Sequence, residues 1–195
     1  MGRALTLDST ILDYLRRDRL LREGHFRFRS GRHSTVLLDR DRLLADPLAA
    51  SRMGYALAKR FFTDHVATVA SPSIWGAGLA QWVAYFLDPK AKVVYATRHD
   101  DRLTIAENLS ELIEGQRVLL VDNLVISGDT MTAFVGAIEA IGAEVIGLGT
   151  LWNSAEPAVD GRPIFGLLNT RFEAYEPGAC PVCAADGPTP VTIDY

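Results

Sequence analysis

The chain has 195 residues, 48% of them apolar and 23% charged, with a formal net charge of −4. That length buries a substantial core without staples, and the acidic balance offers no basic stripe to a nucleic-acid backbone. No apolar run approaches the roughly 20 residues that a bilayer demands, and the charges scattered through MGRALTLDSTILDYLRRDRLL exclude a signal-peptide core, so a cytoplasmic protein is expected.

Residues 8–22 predict a helix opened by Asp8 or Ser9, with Ile11, Leu12 and Leu15 on one face. GHFRFRSGRHSTVLLDRDRLL then alternates apolar and polar residues, which predicts short strands about a tight turn at Ser30-Gly31. Asp46-Pro47 opens a second helix, with Met53, Leu57 and Phe61 at four-residue spacing. HVATVASPSIWGAGLAQWVAYFL reads as a buried strand, a Ser/Pro/Gly loop and a helix striped by Leu79, Trp82, Val83, Phe86 and Leu87. KVVYAT is a further strand, followed by the polar RHDDR and a short strand at LTIAE. RVLLVDNLVISGDTMTAFVGAIEAIGAEVIGLGTLWN is a strand–loop–helix–strand unit, its helix carrying Met131, Phe134, Val135, Ile138 and Ile141.

Near-continuous apolar strands alternating with helices predict an α/β fold: a doubly wound, mostly parallel central sheet flanked by helices. No repeat or linker divides the chain. A single domain over 1–195 is expected, with 1–45 an N-terminal embellishment on a core of 46–195.

The chemistry concentrates in VLLVDNLVISGDT, residues 118–130. Doubly wound sheets bind ligands at the carboxyl ends of their strands. Asp122 is read as closing such a strand with an acceptor suited to sugar hydroxyls. Gly128 allows close backbone approach, Ser127 and Thr130 bring hydroxyls, and the N–H groups of a helix start favour phosphate. The same residue types also make an ordinary capping turn, and spacing alone leaves both readings open. The loop is neither a Walker loop nor a dinucleotide fingerprint.

Cys180 and Cys183 are the only cysteines. A single C-x-x-C fits half a zinc site, a redox pair or two ordinary thiols. Zinc needs two more ligands, and His25, His33, His65 and His99 show no ligand-like spacing; nor does the pair open an obvious helix. Two ordinary thiols and no metal site are expected.

The 118–130 segment resembles the diphosphate-sugar signature of type I phosphoribosyltransferases: four apolar residues, two acids, two apolar residues and a Thr-Thr-Gly-x-Ser/Thr loop. Other segments resemble orotate phosphoribosyltransferases within that class. GHFRFRSGRHS is similar to their Gly-His-Phe…Ser-Gly-Arg-His-Ser, and VASPSIWGAGLA to their diphosphate-contacting loop. LTIAENLSELIEGQRVLLVDN tracks the approach to the signature, and YEPGACPVCAADGPTPV resembles a cysteine-bearing tail of one branch.

This resemblance implies transfer of ribose 5-phosphate from phosphoribosyl diphosphate to orotate, a step of pyrimidine nucleotide biosynthesis. It places Asp122 and Asn123 on the ribose hydroxyls, and Ile126 with Ser127, Gly128, Asp129 and Thr130 around the 5′-phosphate. Ser73 and Gly76 fall in the diphosphate loop, Arg98 and Arg102 in a mobile catalytic loop, and Arg29 and Ser30 beside the base. It also implies Mg²⁺ held mainly through the substrate diphosphate. The partner would be a second copy in a homodimer, each loop of about 98–105 reaching toward the neighbour's site.

Several ligand-facing positions depart from the family pattern. Asn123 replaces the second acid, Trp75 a glycine and Ile126 the first loop threonine, while Asp129 brings a negative charge into the phosphate loop. The catalytic loop has no lysine and sets Asp100 and Asp101 between its arginines, which also reads as a solvated loop. Arg29 reads equally as a surface residue on an amphipathic strand. Leu37 and Leu38 stand where some relatives stack aromatics on the base. Two alternatives follow: a non-catalytic relative that binds a nucleotide, and a transferase for another base. Phosphate binding is expected to persist better than turnover.

Overall fold

In the computed structural model, which describes residues 2–99, 102–154 and 158–193, helix α1 runs over Gly2–Arg17 rather than 8–22. Arg19 takes a left-handed φ of 55°, and the N–H groups of Arg19 and Leu20 return to the carbonyls of Arg16 and Leu15 at 3.0 and 2.8 Å. That closure satisfies the last helical acceptors and turns the chain into a strand. Leu20 and Leu21 suit either period, so the apolar pattern alone carried the expected helix too far.

The expected hairpin follows. Strands β1 (Leu21–Arg27) and β2 (His33–Leu38) pair antiparallel around a turn in which Gly31 has φ 82°. The register slips between Glu23 and Phe26, and consecutive His25 and Phe26 are both buried. A regular strand sends successive side chains to opposite faces; the bulge re-aims one of them. Far along the chain, β10 (Val191–Thr192) pairs parallel with β1 and completes a three-stranded sheet.

A helix not expected from the sequence, α2 (Arg40–Ala45), follows β2, with the Asp39 carboxylate accepting from Arg42 N at 2.9 Å. Helix α3 (Pro47–Phe61) starts as expected, Asp46 accepting from the N–H groups of Leu48 and Ala49.

The remaining elements are β3 (Thr68–Ser71), α4 (Ile74–Leu87), β4 (Lys92–His99), β5 (Arg102–Ile105), α5 (Glu107–Ser110) and β6 (Arg117–Val125). They continue with α6 (Asp129–Ala140), β7 (Glu144–Asn153), β8 (Ala158–Val159), β9 (Arg162–Leu168) and the short α7 (Pro181–Ala184). The large sheet has the order β5-β4-β3-β6-β7-β9-β8. Its five central strands are parallel, and β5 and β8 close the edges antiparallel.

Both faces are covered, which is why these strands read as apolar runs. Leu119 and Val121 of β6 pack with Leu57 and Phe61 of α3 and Val83 of α4, whereas Val118 and Leu120 pack with Phe134 and Ile138 of α6. Chain reversals across such a sheet leave loops at the carboxyl ends of β3 and β6 side by side. A shallow cavity of about 400 Å³ lies at the opposite, amino-terminal edge, lined by Thr68, Lys92 and Gln116 among others, away from those loops.

Candidate active site at the carboxyl edge of the sheet

Asp122 lies within β6, which continues three residues further to Val125, so it does not close the strand as expected. Its side chain is only 7% exposed, and one carboxylate oxygen accepts from Asn123 N at 2.8 Å. Burial pushes its pKa above the ordinary carboxylate range; the Arg40 charge and the Asn123 N–H oppose that shift. Arg40 is thus a site residue that pattern reading missed. The signal was there in DRDR directly after a strand, but only the fold sets it against Asp122.

Beside it, β3 ends and α4 begins. Ser73 caps α4 by accepting from Gly76 N at 3.2 Å. Gly76 sits so close to β3 and β6 that a Cβ there would fall 2.1 Å from Ser71 Oγ and 2.9 Å from Asp122 Oδ1. Only glycine permits this approach. Ser71, fully buried, is the second residue that pattern reading missed. The Trp75 indole is turned onto α2, where Nε1 donates to Asp41 Oδ1 at 2.8 Å.

Across the end of β6, Gly128 adopts φ 90° and occupies the cap of α6 without a side-chain bond. Ser127, Asp129 and Thr130 are exposed around it. Ser127 Oγ donates to Asp129 Oδ2 at 2.7 Å, so that hydroxyl is engaged and a carboxylate stands at the helix entrance. A helix start of this kind suits an anion, and the Asp129 carboxylate would oppose one there.

Other expected site residues stand elsewhere. Arg98 and Arg102 are exposed on the β4–β5 hairpin, where Arg98 pairs with Leu103 and Arg102 with His99. Asp100 and Asp101 lie outside the described residues. Arg29 and Ser30 are exposed in the β1–β2 turn, and Ser30 Oγ accepts from Arg32 N. Leu37 and Leu38 are core residues, 2% and 1% exposed.

The expectation for the histidines and cysteines is corrected. His25, His33, Cys180 and Cys183 converge, their ligand atoms all within 4.8 Å of one another. Linear spacing hid this because a hairpin joins the histidines and the C-terminal segment brings the cysteines from about 155 residues away. Cys180 also directly precedes the short α7, contrary to the expectation that the pair opens no helix. Burial raises the Cys180 thiol, but the Cys183 N–H and the His33 ring outweigh it and bring the thiol to about 6.

A family model for the phosphoribosyl transferase domain matches residues 39–165, which hold most of the large sheet, Asp122 and the α6 loop. The chain belongs to the phosphoribosyltransferase family. An orotate phosphoribosyltransferase of Thermus thermophilus is 35% identical over 176 residues, covering 89% of this chain and 94% of that protein. Among solved structures, the orotate phosphoribosyltransferase of Mycobacterium tuberculosis superposes with a TM-score of 0.65 at 21% identity, covering 83% and 95% of the two chains. The same enzyme in complex with 5-phospho-α-D-ribosyl 1-diphosphate gives 0.57 at 18% identity, covering 85% and 87%.

Proposed function

We propose that this protein transfers ribose 5-phosphate from phosphoribosyl diphosphate to orotate, releasing diphosphate. The observation that carries this reading is the Asp122–Asn123 pair. A buried carboxylate stands next to an amide whose Nδ2 and Oδ1 are both buried without a hydrogen-bond partner among the described residues. Leaving such groups unpaired costs about 1–3 kcal/mol each, and vicinal ribose hydroxyls supply the matching donors and acceptors.

In this reading Asp122 accepts from a ribose hydroxyl and stabilises the positive charge that develops at the anomeric carbon. Backbone N–H groups at Gly128–Thr130 and the Thr130 hydroxyl hold the 5′-phosphate. Ser73 and Gly76 border the diphosphate, Arg98 and Arg102 would cover it on closure of the β4–β5 hairpin, and Arg29 and Ser30, exposed in the β1–β2 turn, would meet the base only once that turn comes over the site. Asp122 and Asp129 are carboxylates on separate elements and form no closed cage. That donor set fits a magnesium ion arriving on the substrate diphosphate, where it would neutralise the leaving group's charge.

Exposed Tyr55, Phe62 and Tyr85 on and beside α3 and α4 support a homodimer. No described helix is long and apolar enough to cross a membrane, in keeping with a cytoplasmic enzyme. The test is diphosphate release from phosphoribosyl diphosphate and Mg²⁺ with a panel of bases. Orotate is expected to react fastest, at less than the roughly 10 s⁻¹ typical of enzymes, because Asp129 opposes phosphate binding and the 98–105 segment lacks lysine. Failure of every base to release diphosphate, with orotidine monophosphate still bound, would leave the non-catalytic reading standing instead.

A further inference from the structure

Two histidines and two cysteines that take no part in the site at the sheet edge converge under the N-terminal hairpin. His25 Nε2 lies 3.1 Å from His33 Nδ1, 3.4 Å from Cys180 Sγ and 3.7 Å from Cys183 Sγ. Cys183 Sγ lies 3.3 Å from His33 Nδ1. A tetrahedral zinc ion with Zn–N of about 2.0–2.1 Å and Zn–S of about 2.3 Å separates its ligand nitrogens by roughly 3.3 Å, and nitrogen from sulfur by roughly 3.6 Å. Four of the six pairwise separations already stand near those values, and none exceeds 4.8 Å.

The tautomer of His25 agrees. Its Nδ1 is 2.6 Å from the carbonyl oxygen of Pro188, which only accepts, so Nδ1 carries the proton and Nε2 presents its lone pair to the cluster. An imidazole held through its other nitrogen by a backbone carbonyl is the usual support of a metal-bound histidine. The lone pair faces a second imidazole nitrogen and two sulfurs. Hydrogen bonds among these groups satisfy such a set poorly, while one cation satisfies all four. His25, His33 and Cys180 are buried, and only Cys183 is exposed.

We propose that His25, His33, Cys180 and Cys183 form a structural zinc site that fastens the C-terminal segment to the β1–β2 hairpin. Two thiolates and two imidazoles in a tetrahedral array favour zinc over magnesium or calcium, which take oxygen ligands. Four protein ligands leave no open position, so the ion does not act on substrate. The clamp has mechanical sense. The C-terminal segment is otherwise tied down by a bridge between His33 and Tyr175, the two-residue β10 and a few side-chain bonds.

The test uses the full chain, reduced, loaded with Zn²⁺ and desalted. About one zinc per chain is expected by mass spectrometry. Replacement by Co²⁺ should give the intense visible bands of a tetrahedral site together with a thiolate charge-transfer band in the near ultraviolet. Cys183→Ser and His33→Asn should each lose most of the zinc and weaken the cobalt bands, whereas Asp122→Asn should retain both. If the cluster variants misfold, the wild type still decides the matter. A strong chelator should withdraw the zinc and speed proteolysis between residues 176 and 190 about tenfold, and added zinc should reverse this. A reduced, folded wild type that holds no zinc and shows no cobalt bands overturns the proposal. Zinc held equally by both cluster variants, or a Cys180–Cys183 disulfide that persists under reductant and excludes the ion, also overturns it.

Discussion

Around Asp122 the polar groups rest on a sheet whose central strand is buried on both faces, with Val118, Leu119, Leu120 and Val121 all wholly buried. Around His25 they rest on a hairpin, a two-residue strand and a short helical turn, and much of the C-terminal segment from residue 176 onward is exposed. The first region places its groups through a core that exists whether or not a ligand is present. The hairpin is anchored through Phe26, Phe28, Leu37 and Leu38, but the C-terminal segment has little apolar area of its own, so the convergent His and Cys side chains do more of the holding there. A site on a large sheet tolerates an unpaired amide such as Asn123; a clamp on a thin layer depends on its own ligands.

The sharpest way to break this contrast is to crowd the rigid region. Gly76→Val places side-chain atoms where Ser71 Oγ and Asp122 Oδ1 now stand. Because the surrounding sheet does not yield, Asp122 must move. Transfer is expected to fall about a hundredfold or more, since a displacement near 1 Å at a reacting centre costs that much. A steady-state assay with phosphoribosyl diphosphate and orotate checks it; unchanged kcat/KM would show that the edge is as pliable as the hairpin.

Next in size is Arg40→Gln. Burial raises the Asp122 pKa and Arg40 lowers it, so losing Arg40 raises it further. Activity that needs the carboxylate anion falls as pH drops through the folded pKa, so the acid limb of the rate profile should move to higher pH. A shift of one unit corresponds to about a tenfold loss on that limb. Stability moves the other way. With the folded pKa above the unfolded one, the contribution of Asp122 is full at acid pH below the unfolded value. It is lost as pH rises through the folded pKa, over a wider window in the variant. Melting temperatures across that range, with Asp122→Asn as the reference lacking the group, measure it.

A smaller effect, in the favourable direction, is expected of Asp129→Asn. The substitution removes a carboxylate from the entrance of α6 and the charged acceptor that engages Ser127. Affinity for orotidine monophosphate should rise about fivefold, equivalent to about 1 kcal/mol for one exposed charge at close range. Calorimetry reads it, and weaker binding would show that Asp129 holds the loop in shape instead.

The smallest effect belongs to the hairpin region. The Arg32–Glu176 pair at 2.8 Å links the turn to the C-terminal segment, but its side chains are 44% and 67% exposed. Arg32→Ala should cost about 0.5 kcal/mol or less by denaturant unfolding. A larger loss would mean that surface charge, rather than the buried cluster, fastens this segment.

Most of the sheet and its main helices were legible in the chain because they follow from local rules. Asp46-Pro47 caps and starts α3, Met131, Phe134, Val135 and Ile138 face the core at helical spacing, and the apolar runs of β3, β6 and β7 are what two covered faces require. The loop before α6, proposed here to hold the phosphate, was legible for the same reason: Ser127 to Thr130 are contiguous, and a glycine before a helix carries its meaning in a few residues. Tertiary structure alone decided that α1 stops at Arg17, because Leu20 and Leu21 satisfy either a helical or a strand pattern and the left-handed Arg19 breaks the tie. It alone brought Arg40 and Ser71 to Asp122, and turned four scattered residues into one cluster. Those assignments depend on which strand ends lie side by side and where a distant segment returns, and no window of sequence holds that distance information.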